Sequence, residues 1–269
     1  MEYEINDNRS RLEARLNDFI SASEKGEIAI SNFLTPAEQY FAGELLLYRG
    51  IDNRSLFWGG YDEAERKRLV LLPSYVSDYG MPAAEIFKSV FAEEYENCVT
   101  SLRIGGSGFR ELTHRDYLGS LLSLGIERDS VGDIAVQNGF SAVVFCTVYV
   151  ARLIMESLEK IGADKVEVER YVIDGSFDCG KRFQKVSGTV ASLRLDCIVA
   201  ELCGLSREKA QDAVKKGLCE LNYVTENKCG REIEAPCIVS VRGFGKYAVR
   251  EIGNETRRGR IRIYADKYI

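Results

Sequence analysis

The order of periodicities between residues 99 and 172 constrains this chain most. Residues 99–104 read as a strand and 112–124 as a helix. Two β-branched runs, 131–136 and 140–146, flank Gln137-Asn138-Gly139, and 148–161 is again helical before a last strand at 165–172. Asn-Gly between two such runs is a strong hairpin signal, because both residues tolerate a left-handed backbone. The sum is β-α-β-β-α-β, the split βαβ order of ferredoxin-like domains and of the RNA-recognition motif. In that motif the third strand carries rings that stack on bases. Here Gly139-Phe140-Ser141-Ala142-Val143-Val144-Phe145 keeps the glycine and the outer rings but has Ala142 at the central stacking position.

The flanks divide the rest. Leu12, Leu16, Phe19 and Ile20 form one helical face, and Thr35-Pro36 with Glu38 signals a second helix start. Residues 56–58 and 69–72 read as strands around Gly59-Gly60-Tyr61 and the charged stretch 62–68. At the other end, after a loop-like stretch at 174–180, Leu195, Ile198, Val199 and Leu202 make a buried helical stripe. Gly204 suits the residue after that helix, and Ser206 suits the N-cap of the next. The second helix buries Ala210, Ala213 and Val214 and turns Arg207, Gln211 and Lys215 to one polar face; Lys215 and Lys216 fall in its last turn before Gly217. Short strands at 218–224, 238–241, 246–252 and 260–264 complete a small sheet. The expected class is α+β in three parts: a small α/β unit at 1–82, an RNA-recognition-like domain at 83–178, and a helix pair on a sheet at 183–269.

Net charge sharpens the division. The chain totals -5, yet residues 1–180 hold 18 Lys+Arg against 30 Asp+Glu, and residues 181–269 hold 18 against 11. A body of -12 thus carries a tail of +7, the asymmetry of a nucleic-acid-binding domain. RNA is repelled from most of the acidic part, leaving local patches such as Arg66-Lys67-Arg68 or Arg103, Arg110 and Arg115. Eight cysteines without C-x-x-C spacing and a single histidine, His114, argue against zinc. His114-Arg115-Asp116 lacks the asparagine of a kinase catalytic loop, since Leu121 stands there; His114 is expected to cap or anchor the following helix. No secretory signal or apolar run of spanning length is present, so reduced thiols in the cytoplasm are expected.

Ser192-Leu193-Arg194-Leu195-Asp196, Gly204-Leu205-Ser206-Arg207, Lys215 to Asn222 and Ser240 to Lys246 together resemble the S4-like RNA-binding domain over about residues 190–250. Upstream, the blocks from Phe57 to Arg68 and from Leu112 to Arg128 look like hallmarks of the YlmH family of bacterial proteins. The resemblance implies a non-catalytic RNA-binding protein, without cofactor, associated with the ribosome at its large subunit. It implies rRNA or tRNA as the ligand, stalled peptidyl-tRNA and ribosome quality control as the setting, and sometimes a link to cell division. Related domains touch RNA with the arginines that correspond to Arg194 and Arg207. Tyr223 departs from the pattern, standing where an Asn-Gly turn is usual, and Glu220 adds a negative charge near the expected RNA edge.

The candidate RNA-binding residues are therefore Arg194, Arg207, Lys209, Gln211, Lys215, Lys216, Asn222, Arg242 and Lys246. Arginine forks match phosphate bidentately, while Gln211 and Asn222 offer amides to a base edge or 2′-hydroxyl. Asp196 reads as a first-turn acid beside Arg194 rather than the catalytic aspartate of a pseudouridine synthase. A protein-interaction adaptor for a cell-division partner is the alternative function, an RNA-modifying enzyme the third; the protein is expected to be a monomer.

Overall fold

A computed structural model describes residues 2–174, 177–180 and 182–269; Gly175 and Ser176, within the loop expected at 174–180, lie outside the described residues. The chain divides into two compact units, Met1–Gly180 and Lys181–Ile269. Both mix helices with antiparallel sheets, in keeping with the α+β expectation.

The first unit begins with α1 (Glu2–Glu24), β1 (Ala29–Leu34), α2 (Pro36–Tyr48), β2 (Ser55–Trp58) and β3 (Lys67–Leu71). Leu12, Leu16 and Ile20 of α1 pack on Ala42 and Leu46 of α2 and on Leu69 and Leu71. α2 starts where Thr35-Pro36 places it: Thr35 accepts from the Glu38 amide, and Glu38 accepts from the Thr35 amide at 2.7 Å. The sheet order is β1-β3-β2, so β1, absent from the sequence reading, pairs with β3 at both its ends, with a register shift between Ile30 and Phe33. Two short helices, α3 (Ala83–Ser89) and α4 (Ala92–Cys98), follow and were also not anticipated.

β4 (Thr100–Gly106), α5 (His114–Ser123), β5 (Val131–Gln137), β6 (Ser141–Cys146), α6 (Val148–Ser157), β7 (Lys160–Ile161) and β8 (Asp164–Arg170) reproduce the expected central order, with one correction. The second helix ends at Ser157 rather than 161, and Lys160–Ile161 instead pairs with β8. The sheet runs β5-β6-β4-β8-β7, all antiparallel, which is the split βαβ arrangement. Asn138 and Gly139 take left-handed φ of 52° and 72° at the hairpin tip, as Asn-Gly predicts. His114 does not cap α5; Thr113 does, donating its amide and hydroxyl to Asp116 at 2.8 and 2.7 Å. The Asp of the His-Arg-Asp triplet is thus an element of helix capping.

The second unit comprises β9 (Phe183–Val190), α7 (Leu195–Cys203), α8 (Arg207–Lys215), β10 (Cys219–Leu221), β11 (Val224–Thr225), β12 (Cys237–Val241), β13 (Gly245–Glu255) and β14 (Ile261–Tyr268). Its sheet is β11-β10-β12-β13-β14-β9. The stripe Leu195, Ile198, Val199 and Leu202 is buried against Val239, Val249 and Ile263, each aliphatic side chain contributing about 1.5–3 kcal/mol. Gly204 turns the chain out of α7 with φ 64°, and Ser206 accepts from the Lys209 amide to start α8. Both helices cover one face of the sheet. β9 is an unanticipated edge strand paired throughout with β14, and the single strand expected at 218–224 is instead broken by the left-handed Asn222 and Tyr223 into β10 and β11, which pair antiparallel.

Candidate nucleic-acid interface

The second unit is organised around one carboxylate. Arg194 occupies the N-cap position of α7 with an extended backbone, and its side chain makes no cap hydrogen bond. The loop at 229–231 serves the helix start instead, accepting from the Leu195 amide at Arg231 O (2.7 Å) and from the Asp196 amide at Cys229 O (3.2 Å). Asp196 is thereby fixed in the first turn with no solvent exposure. Its carboxylate accepts from Arg194 Nε and Nη2 at 3.0 and 3.1 Å and from Gln211 Nε2 at 2.8 Å, with Arg207 Nε at 3.6 Å. Burial by itself would raise the Asp196 pKa, but the hydrogen bonds from Arg194 and Gln211 and the two guanidinium charges prevail and bring it to about 2.

The two arginines are only partly spent on this contact. Their side chains remain 39% and 57% exposed, so a buried anion holds two forks while leaving donor edges toward solvent. Lys209, Lys215 and Lys216 are exposed on and just after α8. Gln211 is drawn inward, one N–H of its amide donated to Asp196 at 2.8 Å.

The remaining expected residues lie elsewhere. Lys246, on β13 next to the core residue Tyr247, extends from the face of the sheet opposite the helices. Its ammonium stands 5.0 Å from the Tyr223 ring centroid and 4.5 Å from that of Tyr268. Asn222 holds the neighbouring turn: its Oδ1 accepts from the Ile238 amide at 2.8 Å, and its own amide donates to Ile238 O at 2.8 Å. Asn222 and Tyr223 both have left-handed φ, 48° and 66°, and for tyrosine this costs about 1–2 kcal/mol. Arg242 is exposed in the turn between β12 and β13. The nine residues thus form a helix-side group bound to Asp196 or carried on α8, and a sheet-side group around Lys246.

The central sheet has its own constraint. Ala142 and Val144 face α5 and α6 in a core with Leu102 and Ile104, so the position expected for a stacking ring points away from any ligand. The opposite face, Ala135, Val143 and Phe145, is covered by Tyr61 and Ala64 and by Phe177. Tyr61 lies 4.8 Å from Phe145 and 5.2 Å from Phe177, ring to ring. Asp133 fastens this cover, accepting from the Tyr61 hydroxyl at 2.6 Å and the amides of Glu65 and Arg66 at 2.8 and 3.0 Å. Burial and the adjacent Asp133 charge drive the Tyr61 pKa up. Gly60 is required beneath it: φ is 96°, and a Cβ would come within 2.7 Å of Phe145.

The side chains of Arg66, Lys67 and Arg68 are engaged within the first unit. Arg66 donates to Val131 O and Phe33 O at 3.2 and 3.0 Å, Arg68 donates to Ser31 O at 2.6 Å and to Cys98 O, and Lys67 donates to Asp62 O. The two arginines satisfy backbone carbonyls in part-buried positions, and Lys67 does so at an exposed one. Arg103 and Arg110 are exposed but paired with Glu169 and Asp116. Among the described residues, no group of three or more His, Cys, Asp or Glu could hold a metal, and no helix is long and apolar enough to cross a membrane.

Two family models match within the first unit. Residues 7–76 match the family model described as "YlmH, N-terminal", and residues 92–174 match "Putative RNA-binding domain in YlmH". A curated relative, "Ribosome-associated protein quality control protein P2" of Bacillus subtilis (strain 168), is 28% identical over 244 residues, spanning 89% of this chain and 87% of the relative. A solved structure, "Cell division protein ylmH from Streptococcus pneumoniae", is 19% identical with a TM-score of 0.49, covering 64% of this chain and 95% of that one.

Proposed function

Because the chain belongs to the YlmH family, we propose that it is an RNA-binding protein that associates with the ribosome, working as a monomer at the large subunit on tRNA or stalled peptidyl-tRNA. The name of the Bacillus subtilis relative supports the ribosomal setting and the role in quality control. One observation carries the mechanism: the buried Asp196 holds Arg194 and Arg207 side by side, each with part of its guanidinium in solvent. Fixed forks of this kind meet phosphates with little loss of side-chain freedom, and the lysines of α8 extend the positive surface. The basic part, 183–269, acts as the S4-like reader of folded RNA, while 1–82 and 83–178 serve as the acidic body that positions it.

The same geometry favours binding over catalysis. A nucleophilic aspartate needs a free, approachable oxygen, and the Asp196 carboxylate is buried with three side chains gathered on it. The test is a salt titration of the full chain against large-subunit rRNA. Arg194→Ala and Arg207→Ala should each weaken binding and flatten the log–log salt slope by up to about 0.9 per lost phosphate contact. Titrations of the double variant indistinguishable from wild type would refute the site. Deleting residues 183–269 should abolish co-sedimentation with the large subunit; retention would favour an adaptor bound through protein.

A further inference from the structure

The sheet of the second unit has one face without helices, and its side chains form an ordered pattern. Tyr223, Lys246, Tyr268 and Phe183 make a continuous row across it: the ammonium of Lys246 lies between the two tyrosine rings, and Phe183, paired with Tyr268 in register, meets it edge-on with centroids 4.9 Å apart. Along β14, Ile263 and Ala265 enter the core, so Arg262, Tyr264, Asp266 and Tyr268 share the open face at intervals of about 6.6 Å. Asp266 pairs with Arg250 at 3.0 Å and stands opposite Lys185 in register, while Glu251, opposite Tyr264, is an exposed acid on the same face. At the far end, the hairpin between β13 and β14 exposes Arg257 and Arg258, with no acid between Thr256 and Ala265, while Arg260 donates to Thr189 and pairs with Glu201 at 3.9 Å.

Tyr223 adds an independent observation. Its left-handed backbone is one that glycine adopts without strain, yet a tyrosine is kept there with its ring against Lys246. Strain at this half-buried tyrosine points to a task for the side chain.

We propose that this helix-free face is a second RNA site that takes unpaired nucleotides, with bases stacked on Tyr264, Tyr268 and Phe183 and phosphates on Lys185, Lys246, Arg262 and the hairpin arginines. Tyr264 and Phe183 are 40% and 37% exposed, enough to receive a base. Rings alternating with cations on an open sheet suit single strands, because every base has a π face and its backbone follows the charges. A protein partner buried on so many arginines would have to supply matching acids. The inference rests on the RNA-binding reading above but uses none of the residues gathered on Asp196.

The experiment titrates the full chain with a short fluorescein-labelled oligouridine, which forms no duplex, and in parallel with a folded fragment of large-subunit rRNA. Tyr264→Ala with Tyr268→Ala should weaken oligouridine binding by about tenfold per ring, while Tyr264→Phe with Tyr268→Phe retains it. Arg194→Ala with Arg207→Ala should do the reverse, weakening the folded RNA and sparing oligouridine. Wild-type oligouridine affinity in the alanine pair, or equal losses in the alanine and phenylalanine pairs, overturns the proposal. If circular dichroism shows that the alanine pair misfolds, ultraviolet cross-linking of wild-type protein to oligouridine decides. Adducts on 183–190 or 261–268 support the site, and adducts confined to 194–215 overturn it.

Discussion

Replacing Asp196 by asparagine should loosen the helix side of the second unit by an amount that two arguments bound. Its pKa falls from an ordinary 3.8 to about 2 on folding, which corresponds to about 2 kcal/mol of stability at neutral pH. Charge-assisted hydrogen bonds are worth about 1.5–3 kcal/mol each, but Arg194 and Arg207 can turn to water when the carboxylate is lost. A net loss of about 2–3 kcal/mol follows at pH 7. The folded-state pKa lies below the unfolded one, so the contribution is complete above about pH 4 and disappears as the pH falls toward 2. Amide hydrogen exchange across 195–203 in the full chain reads this directly. At pH 7 the variant should exchange about thirtyfold faster for a 2 kcal/mol loss, and the gap should close near pH 2. Unchanged protection at pH 7, or a gap that persists undiminished through that window, would refute the role assigned to Asp196. Affinity for folded RNA should fall as well, although Asp196 itself meets no phosphate.

Further outcomes test the rest. Gly60→Ala should destabilise the first unit by more than about 2 kcal/mol in urea denaturation followed by Trp58 fluorescence, since it adds a clash with Phe145 to a backbone at φ 96°. Tyr61→Phe, which leaves Asp133 without its 2.6 Å hydroxyl partner, should cost about 1–2 kcal/mol by the same measurement. Ala142→Phe, which restores the ring of an RNA-recognition motif on paper, should lower stability by about 1–3 kcal/mol and leave RNA affinity unimproved, because the position is fully buried beneath the helices. Tyr223→Gly should raise the stability of the second unit by up to about 1 kcal/mol in amide exchange by relieving the left-handed backbone, while reducing oligouridine binding.

Elements with strong local signals were legible in the sequence. The stripe from Leu195 to Leu202, Gly204, Ser206 and the Asn138-Gly139 hairpin all act within a few residues, and each sits where its chemistry demands. β9 escaped because it is an edge strand whose side chains are mostly exposed, so no apolar alternation marks it. β1 escaped because its identity depends on β3, far along the chain. The same reason divides the interface. Arg194, Arg207 and Gln211 were identified as candidates, but their convergence on Asp196 is a tertiary fact, as is the separation of Lys246 onto the other face of the sheet. The stretch Gly139 to Phe145 shows the limit of motif matching: the residue types suggest a stacking strand, and the faces to which they point do not.

The lid formed by Tyr61, Ala64 and the Asp133 anchor has a practical corollary. Residues 92–174 cannot be lifted out as an independent module without uncovering Ala135, Val143 and Phe145, an oily strip that water would drive into association with other copies. The Gly-Gly-Tyr segment and the sheet it shields are a single inheritable package, and any truncation meant to dissect this protein has to cut after both, near residue 180.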